Sequence, residues 1–147
     1  MKNAGHKVIA VQLPLHSLAD DVETVKRATS HIGGPVTLVG HSYGGAVITN
    51  AACNNRNYIA AFAPDEGQSL GNFVDPSTLP KDLLVIDSGG FAYINSSMST
   101  GGFAQDVNST EAAIMAVMQK PLNTSIFAEK SVPPAWKQLP ELVMNDS

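Results

Sequence analysis

The chain has 147 residues, 44% of them hydrophobic and 15% charged, with a formal net charge of -4 and one cysteine. That is the size of one domain with enough apolar content for a real core. The acidic balance argues against nucleic acid or an anionic membrane surface as partner.

Val8 to Leu13 is a near-continuous apolar run, the type expected of a strand in a parallel sheet covered on both faces. Ser17 with Asp20 opens a helix, and Leu18, Val22, Val25, Thr29 and Ile32 follow at spacings of four, three, four and three. Gly33-Gly34-Pro35 ends that helix, and Val36 to Val39 is the next strand. A small-residue helix follows to about Cys53, and Tyr58 to Ala63 is a third short strand. Alternating strands and helices imply right-handed crossovers and a parallel sheet.

From Asp65 the character changes. Residues 65–110 are rich in Gly, Ser, Asn and Pro, with apolar islands such as Leu83-Leu84-Val85-Ile86. Asn108 with Glu111 starts a helix over Ala112 to Gln119, stopped by Pro121. Leu122 to Lys130 reads as a second helix, broken at Pro133-Pro134. No internal repeat is present, and no apolar run approaches the roughly 18 residues of a membrane span. No basic-then-apolar leader opens the chain, so a cytoplasmic location is expected.

The most informative stretch is Val36-Thr37-Leu38-Val39-Gly40-His41-Ser42-Tyr43-Gly44-Gly45-Ala46-Val47-Ile48. A β-branched run stops at Gly-x-Ser-x-Gly and a helix starts at once, the pattern of a nucleophile elbow that holds a serine hydroxyl clear of the sheet. Gly40 and Gly44 flank a residue in strained backbone angles, where a side chain is expected to collide with a neighbouring strand or helix. Ser42 is the candidate nucleophile. The N–H of Tyr43, at the helix N-terminus, is the candidate oxyanion donor.

These residues resemble the α/β-hydrolases, and among them small esterase-like members. The likeness extends through Gly5-His6-Lys7-Val8-Ile9-Ala10-Val11-Gln12-Leu13-Pro14 and Ser17-Leu18-Ala19-Asp20-Asp21-Val22. It continues through Tyr58-Ile59-Ala60-Ala61-Phe62-Ala63-Pro64-Asp65-Glu66-Gly67 and Pro134-Ala135-Trp136-Lys137. The resemblance implies a partial α/β-hydrolase fold, an α/β parallel sheet core with a mostly helical lid. Residues 1–64 are the core with its elbow, 65–137 the lid, and 138–147 the start of a further core segment. It also implies a chain longer at both ends than this one. The strand preceding Val8 to Leu13, with its oxyanion-loop glycines, and a histidine base after Ser42 are not in this sequence. With only Asn54 to Asn57 before it, the strand at Tyr58 is expected to be short.

All four histidines precede Ser42. His41 adjoins the serine but is expected to be a packing residue, since adjacent elbow residues point apart. His6 lies at the wrong end of its strand, and His31 in a last helical turn, where histidine commonly caps the dipole. His16 lies at the carboxyl end of its strand, on the edge where ligands collect in open parallel sheets. It reads as a loop residue, and as a surrogate base only if Val8–Leu13 and Val36–Val39 pair directly. Asp146 and Asp65 are alternative acids. Cys53 reads as a buried structural thiol. The Asn-x-Ser/Thr triplets at Asn95, Asn108, Asn123 and Asn145 read as chance. Ile114, Met115, Val117 and Met118 read as ordinary packing, with an acyl pocket as the alternative.

The expected activity is hydrolysis of a small-molecule carboxylic ester through an acyl-enzyme on Ser42, with a non-catalytic binding or interaction module as the alternative. Lyase chemistry on this fold stays open. No metal or organic cofactor is expected, because the sequence has no ligand-spaced His/Cys cluster and no dinucleotide fingerprint. The bare edges of Val8–Leu13 and Val36–Val39 are expected either to pair with each other or to drive self-association.

Overall fold

A computed structural model describes residues 5–51, 55–74, 78–98, 101–102, 104–134 and 137. Helix α1 (Leu18–Ser30) starts where the Ser17 hydroxyl accepts the Asp20 N–H at 3.1 Å, as the sequence indicates. It ends at His31, whose Nδ1 lies 2.8 Å from the Arg27 carbonyl oxygen. Strand β1 (Thr37–Ser42) runs without a break into helix α2 (Tyr43–Asn50). Strand β2 (Asn55–Ala61) then returns parallel to β1, with Leu38 opposite Arg56 and Gly40 opposite Tyr58. The expected short strand is thus seven residues long and starts three residues early. Pairing with β1 draws in polar residues 55–57, which lack a strand pattern of their own.

Both helices cover one face of this parallel pair. Leu18, Val22 and Val25 of α1 pack with Leu38 of β1 and with Val47, Ile48 and Ala51, and Val11 and Leu13 lean on the same cluster. The opposite face is open: Val39 is 42% and Ile59 53% exposed. Val8 to Leu13, expected as a strand, has no regular secondary structure. Its residue types suit a strand, but the ladder hydrogen bonds that define one need a neighbour. Direct pairing with β1 does not occur. A cavity of about 810 Å³ lies between residues 6–13 and 35–39.

The described residues from Asp65 onward form a second layer of irregular structure around a small antiparallel sheet. Strands β3 (Leu84–Ile86), β4 (Phe91–Ile94) and β5 (Leu122–Asn123) pair in the order β3-β4-β5. The helices here are one-turn α3 (Ser96–Met98) and α4 (Ser109–Met118), the latter capped by Asn108 as anticipated. The expected helix over Leu122–Lys130 is instead β5 followed by a 3-10 turn, Thr124–Ala128. The Asn123 side chain accepts the Ser125 N–H at 3.0 Å and opens that tight turn at the site where an α-helix was expected.

This layer is tied to the first at several points. Asn50 bonds Ser131 through Nδ2 and accepts from Val132 N at 2.9 Å. Glu129 accepts from Leu18 N at 2.9 Å, and Asn123 N donates to the Leu15 carbonyl at 2.9 Å. Ile126 and Leu70 bury against Ala46 of α2.

Candidate active site

Ser42 is the last residue of β1 and caps α2, with φ 50° and ψ -122°. A non-glycine residue at positive φ costs on the order of 1–3 kcal/mol and persists only when its surroundings over-determine it. Three constraints do so here. The Ser42 carbonyl accepts Phe62 N at 3.1 Å, which pins the end of β1 to the chain leaving β2. A Cβ on Gly40 would lie 2.6 Å from the Gly44 carbonyl oxygen, so the strand can fold back on the helix only with glycine there. A Cβ on Gly45 would overlap the Phe62 backbone and come within 2.6 Å of the Ala61 Cβ.

The glycine assignment therefore needs one correction. Gly44, expected to be sterically required, has nothing within 4 Å of the place its Cβ would take. The close approach between α2 and β2 is made one residue later, at Gly45. Gly44 instead lines the cavity beside β1.

The elbow rests on a polar pair anchored by the buried Asp21. Tyr43 donates its phenol proton to Asp21 Oδ2 at 2.7 Å, while Asp21 Oδ1 accepts Leu15 N at 2.8 Å. Asp21 has no exposed surface, and Leu15 is itself held at φ 63°. One carboxyl thus fixes the residue after the serine and the strained loop at the end of the 8–13 segment. Burial, the hydrogen bond to Asp21 and the charges of Asp21 and Glu129 push the Tyr43 phenol far above the ordinary tyrosine range. Sequence reasoning passed over Asp21. Its signal is a carboxylate three residues after Leu18 and beside Val22, on the apolar face of α1.

The histidines do not converge on Ser42, whose hydroxyl makes no hydrogen bond among the described residues. His41 is exposed, not packed, because alternation along β1 turns it to the open face of the sheet. His16 sits edge-on to Phe91, with ring centroids 5.7 Å apart. The strand pairing that would have carried it toward Ser42 is absent. His6 is exposed, and His31 caps α1 as expected. Asp65 pairs with Lys137 at 2.6 Å; that hydrogen bond, followed by the Glu66 N–H, lowers its pKa. Asp146, Cys53 and Trp136 lie outside the described residues. Ile114, Met115, Val117 and Met118 are exposed by 49%, 43%, 82% and 75%, so the ordinary packing expected of them is not seen among the described residues. Among the described residues there is no group of three His, Cys, Asp or Glu side chains able to hold a metal ion. No helix among them is long and apolar enough to cross a membrane.

The model of the alpha/beta hydrolase family matches residues 2–144. A carbendazim hydrolyzing esterase from Nocardioides sp. (strain SG-4G) is 31% identical over 62% of this chain and 45% of its own length. Among solved structures, an extracellular alpha/beta-hydrolase from a Paenibacillus species aligns with TM-score 0.74 at 17% identity. It covers 94% of this chain and 64% of that one. A polyneuridine aldehyde esterase aligns with TM-score 0.73 at 18% identity, covering 92% and 68%. A pyrethroid hydrolase from Sphingobium faniae JZ-2 gives 0.70 at 18%, covering 95% and 66%. The chain therefore spans less than half of the curated relative and about two thirds of these solved structures.

Proposed function

Because the chain belongs to the alpha/beta hydrolase family, we propose that it is a serine hydrolase that cleaves a carboxylic ester through an acyl-enzyme on Ser42. The observation that carries this reading is the strained elbow. A serine at φ 50° between a strand and a helix N-terminus is held against a conformational cost, and catalytic nucleophiles are where proteins tolerate such a cost. In the reaction the Ser42 hydroxyl oxygen adds to the ester carbonyl, and the proton it gives up ends on the departing alkoxide oxygen. The carbonyl oxygen becomes an oxyanion facing the Tyr43 N–H, and collapse releases the alcohol. Water then attacks the acyl-serine and frees the acid. The relatives' names, an esterase that hydrolyses carbendazim and an esterase of polyneuridine aldehyde, favour a small-molecule ester.

The alternative is a non-catalytic hydrolase-like binding module. It is favoured by one specific observation: none of the four histidines hydrogen-bonds Ser42. A serine triad without its base keeps only about 10³–10⁴-fold over water, from binding and the oxyanion hole. A fluorophosphonate probe separates the two readings. Stoichiometric labelling that Ser42→Ala abolishes is the expected result. Equal labelling of the alanine variant refutes Ser42 as nucleophile, and a folded but unlabelled protein favours the non-catalytic reading.

A further inference from the structure

We propose that Glu129 is a positioning residue for the reaction on Ser42: it seats residues 120–129 against the loop that shares Asp21 with Tyr43, and so sets where the Tyr43 N–H points. The inference rests on the serine-hydrolase reading above and deepens it.

Leu18 is the first residue of α1, and its N–H is one of the donors that a helix start leaves without an intrahelical partner. The Ser17 hydroxyl takes Asp20 N, not Leu18 N. Glu129 Oε2 accepts the Leu18 N–H at 2.9 Å from 111 positions along the chain, at a helix end where the dipole favours a carboxylate. A packed element brings Glu129 to that place. Its N–H closes the 3-10 turn Thr124–Ala128 on the Ile126 carbonyl at 3.3 Å, and Ile126, 1% exposed, packs on Ala46 of α2. Ala46 follows Tyr43 by one helical step on the same face, and Tyr43 leans on the same cluster. The segment therefore lies against the first turn of α2, the turn that carries the oxyanion donor.

Two further contacts reach the loop before α1. Asn123 N donates to the Leu15 carbonyl at 2.9 Å, and Lys120 Nζ donates to the Leu13 carbonyl. Leu15 is thus held on both sides, its carbonyl by Asn123 and its N–H by Asp21 Oδ1 at 2.8 Å. A leucine keeps a φ of 63° only under such constraint. Asp21 passes the position on, because its other oxygen takes the Tyr43 phenol at 2.7 Å. Glu129 faces that phenol too, and its charge adds to that of Asp21 in raising the phenol pKa. Without the Glu129 carboxylate the segment loses its hold on the head of α1. Leu15 then relaxes from positive φ, and Asp21 turns and takes Tyr43 with it. A backbone N–H stabilises an oxyanion only when aimed at it, so a small rotation is read as a rate.

Phosphonylation of Ser42 by a fluorophosphonate develops negative charge on the oxygen that faces the Tyr43 N–H. Its maximal rate reads the donor, and its half-saturating concentration reads binding. Glu129→Ala is expected to lower the maximal rate about tenfold, to leave half-saturation within about twofold, and to shift the Tyr43 backbone amide signal in NMR spectra. Glu129→Gln keeps an acceptor for Leu18 N and is expected to restore both readouts. Val25→Ala, a truncation in the core of α1, controls for lost stability and should change neither readout well below its melting temperature. If Glu129→Ala does not fold, the exposed Lys120→Met, which removes the Leu13 contact, is expected to give the same changes at about threefold. A parent-like rate with an unmoved Tyr43 signal in whichever of these two variants folds overturns the proposal. So do equal effects from Val25→Ala, or a glutamine variant no better than alanine. A folded parent that takes no label counts against the serine-hydrolase reading instead, and the Tyr43 signal still decides the role of Glu129 by the same comparisons.

Discussion

Replacing Asp21 by alanine should damage this protein far more than an acidic residue in a first helical turn would suggest. Asp21 is fully buried, and its two oxygens accept from Leu15 N at 2.8 Å and from the Tyr43 hydroxyl at 2.7 Å. Removing the carboxyl strands two partly buried donors, at up to about 1–3 kcal/mol each. Relaxation of the Leu15 loop from its positive φ returns part of that, since such strain is worth on the order of 1–3 kcal/mol. The net expected loss is about 3 kcal/mol. At roughly 3 °C per kcal/mol for a domain of this size, the melting temperature should fall by about 10 °C. Urea and thermal unfolding followed by circular dichroism would measure it. Asp21→Asn keeps an acceptor for Leu15 N and should cost about 1 kcal/mol. In a double-mutant cycle, Asp21→Ala and Tyr43→Phe should couple by about 1.5–3 kcal/mol, the range for a hydrogen bond to a charged group. A loss below about 1 kcal/mol for Asp21→Ala, or additive cycle energies, would show that the pair does not hold the elbow.

Three further outcomes are expected. Tyr43 has a folded-state pKa above its unfolded value near 10, so its contribution is complete below that pH and is lost as pH rises beyond it. Alkaline titration of stability above about pH 10 should therefore be shallower in Tyr43→Phe than in the parent, and identical slopes would contradict the raised phenol. Gly45→Ala should destabilise by about 3 kcal/mol, because the new methyl meets the Phe62 backbone, which cannot swing aside as a side chain would. A melting temperature within a degree of the parent would show that α2 can slide away from β2. Ser42→Gly should raise stability by about 1 kcal/mol while removing any probe labelling, since glycine adopts positive φ without the cost serine bears. A drop in melting temperature would argue that Ser42 is unstrained.

Much of the first layer was legible because its signals are local. The apolar spacing from Leu18 to Ile32 and the Ser17 cap specify α1 without reference to any other element. Gly-x-Ser-x-Gly between a β-branched run and small residues specifies the strand-to-helix turn, because the strain at Ser42 is a property of a few consecutive peptide units. The 108–118 helix was read in the same way, from its cap and the proline that follows. The antiparallel strands β4 and β5 were not legible. They are four and two residues long, and their pairing depends on contacts between distant parts of the chain.

What the sequence determined by itself is therefore the elbow, the capped helices and the family to which they belong. Each is set by backbone preference and periodicity within a short window. The tertiary structure decided the rest. It decided that Gly45 and not Gly44 makes the close approach, since that depends on which side of α2 meets β2. It placed Asp21 beneath Tyr43, a contact 22 positions apart. It left Val8 to Leu13 without regular secondary structure, beside a cavity. A strand's identity resides in hydrogen bonds to a neighbour, and no residue run can supply those alone.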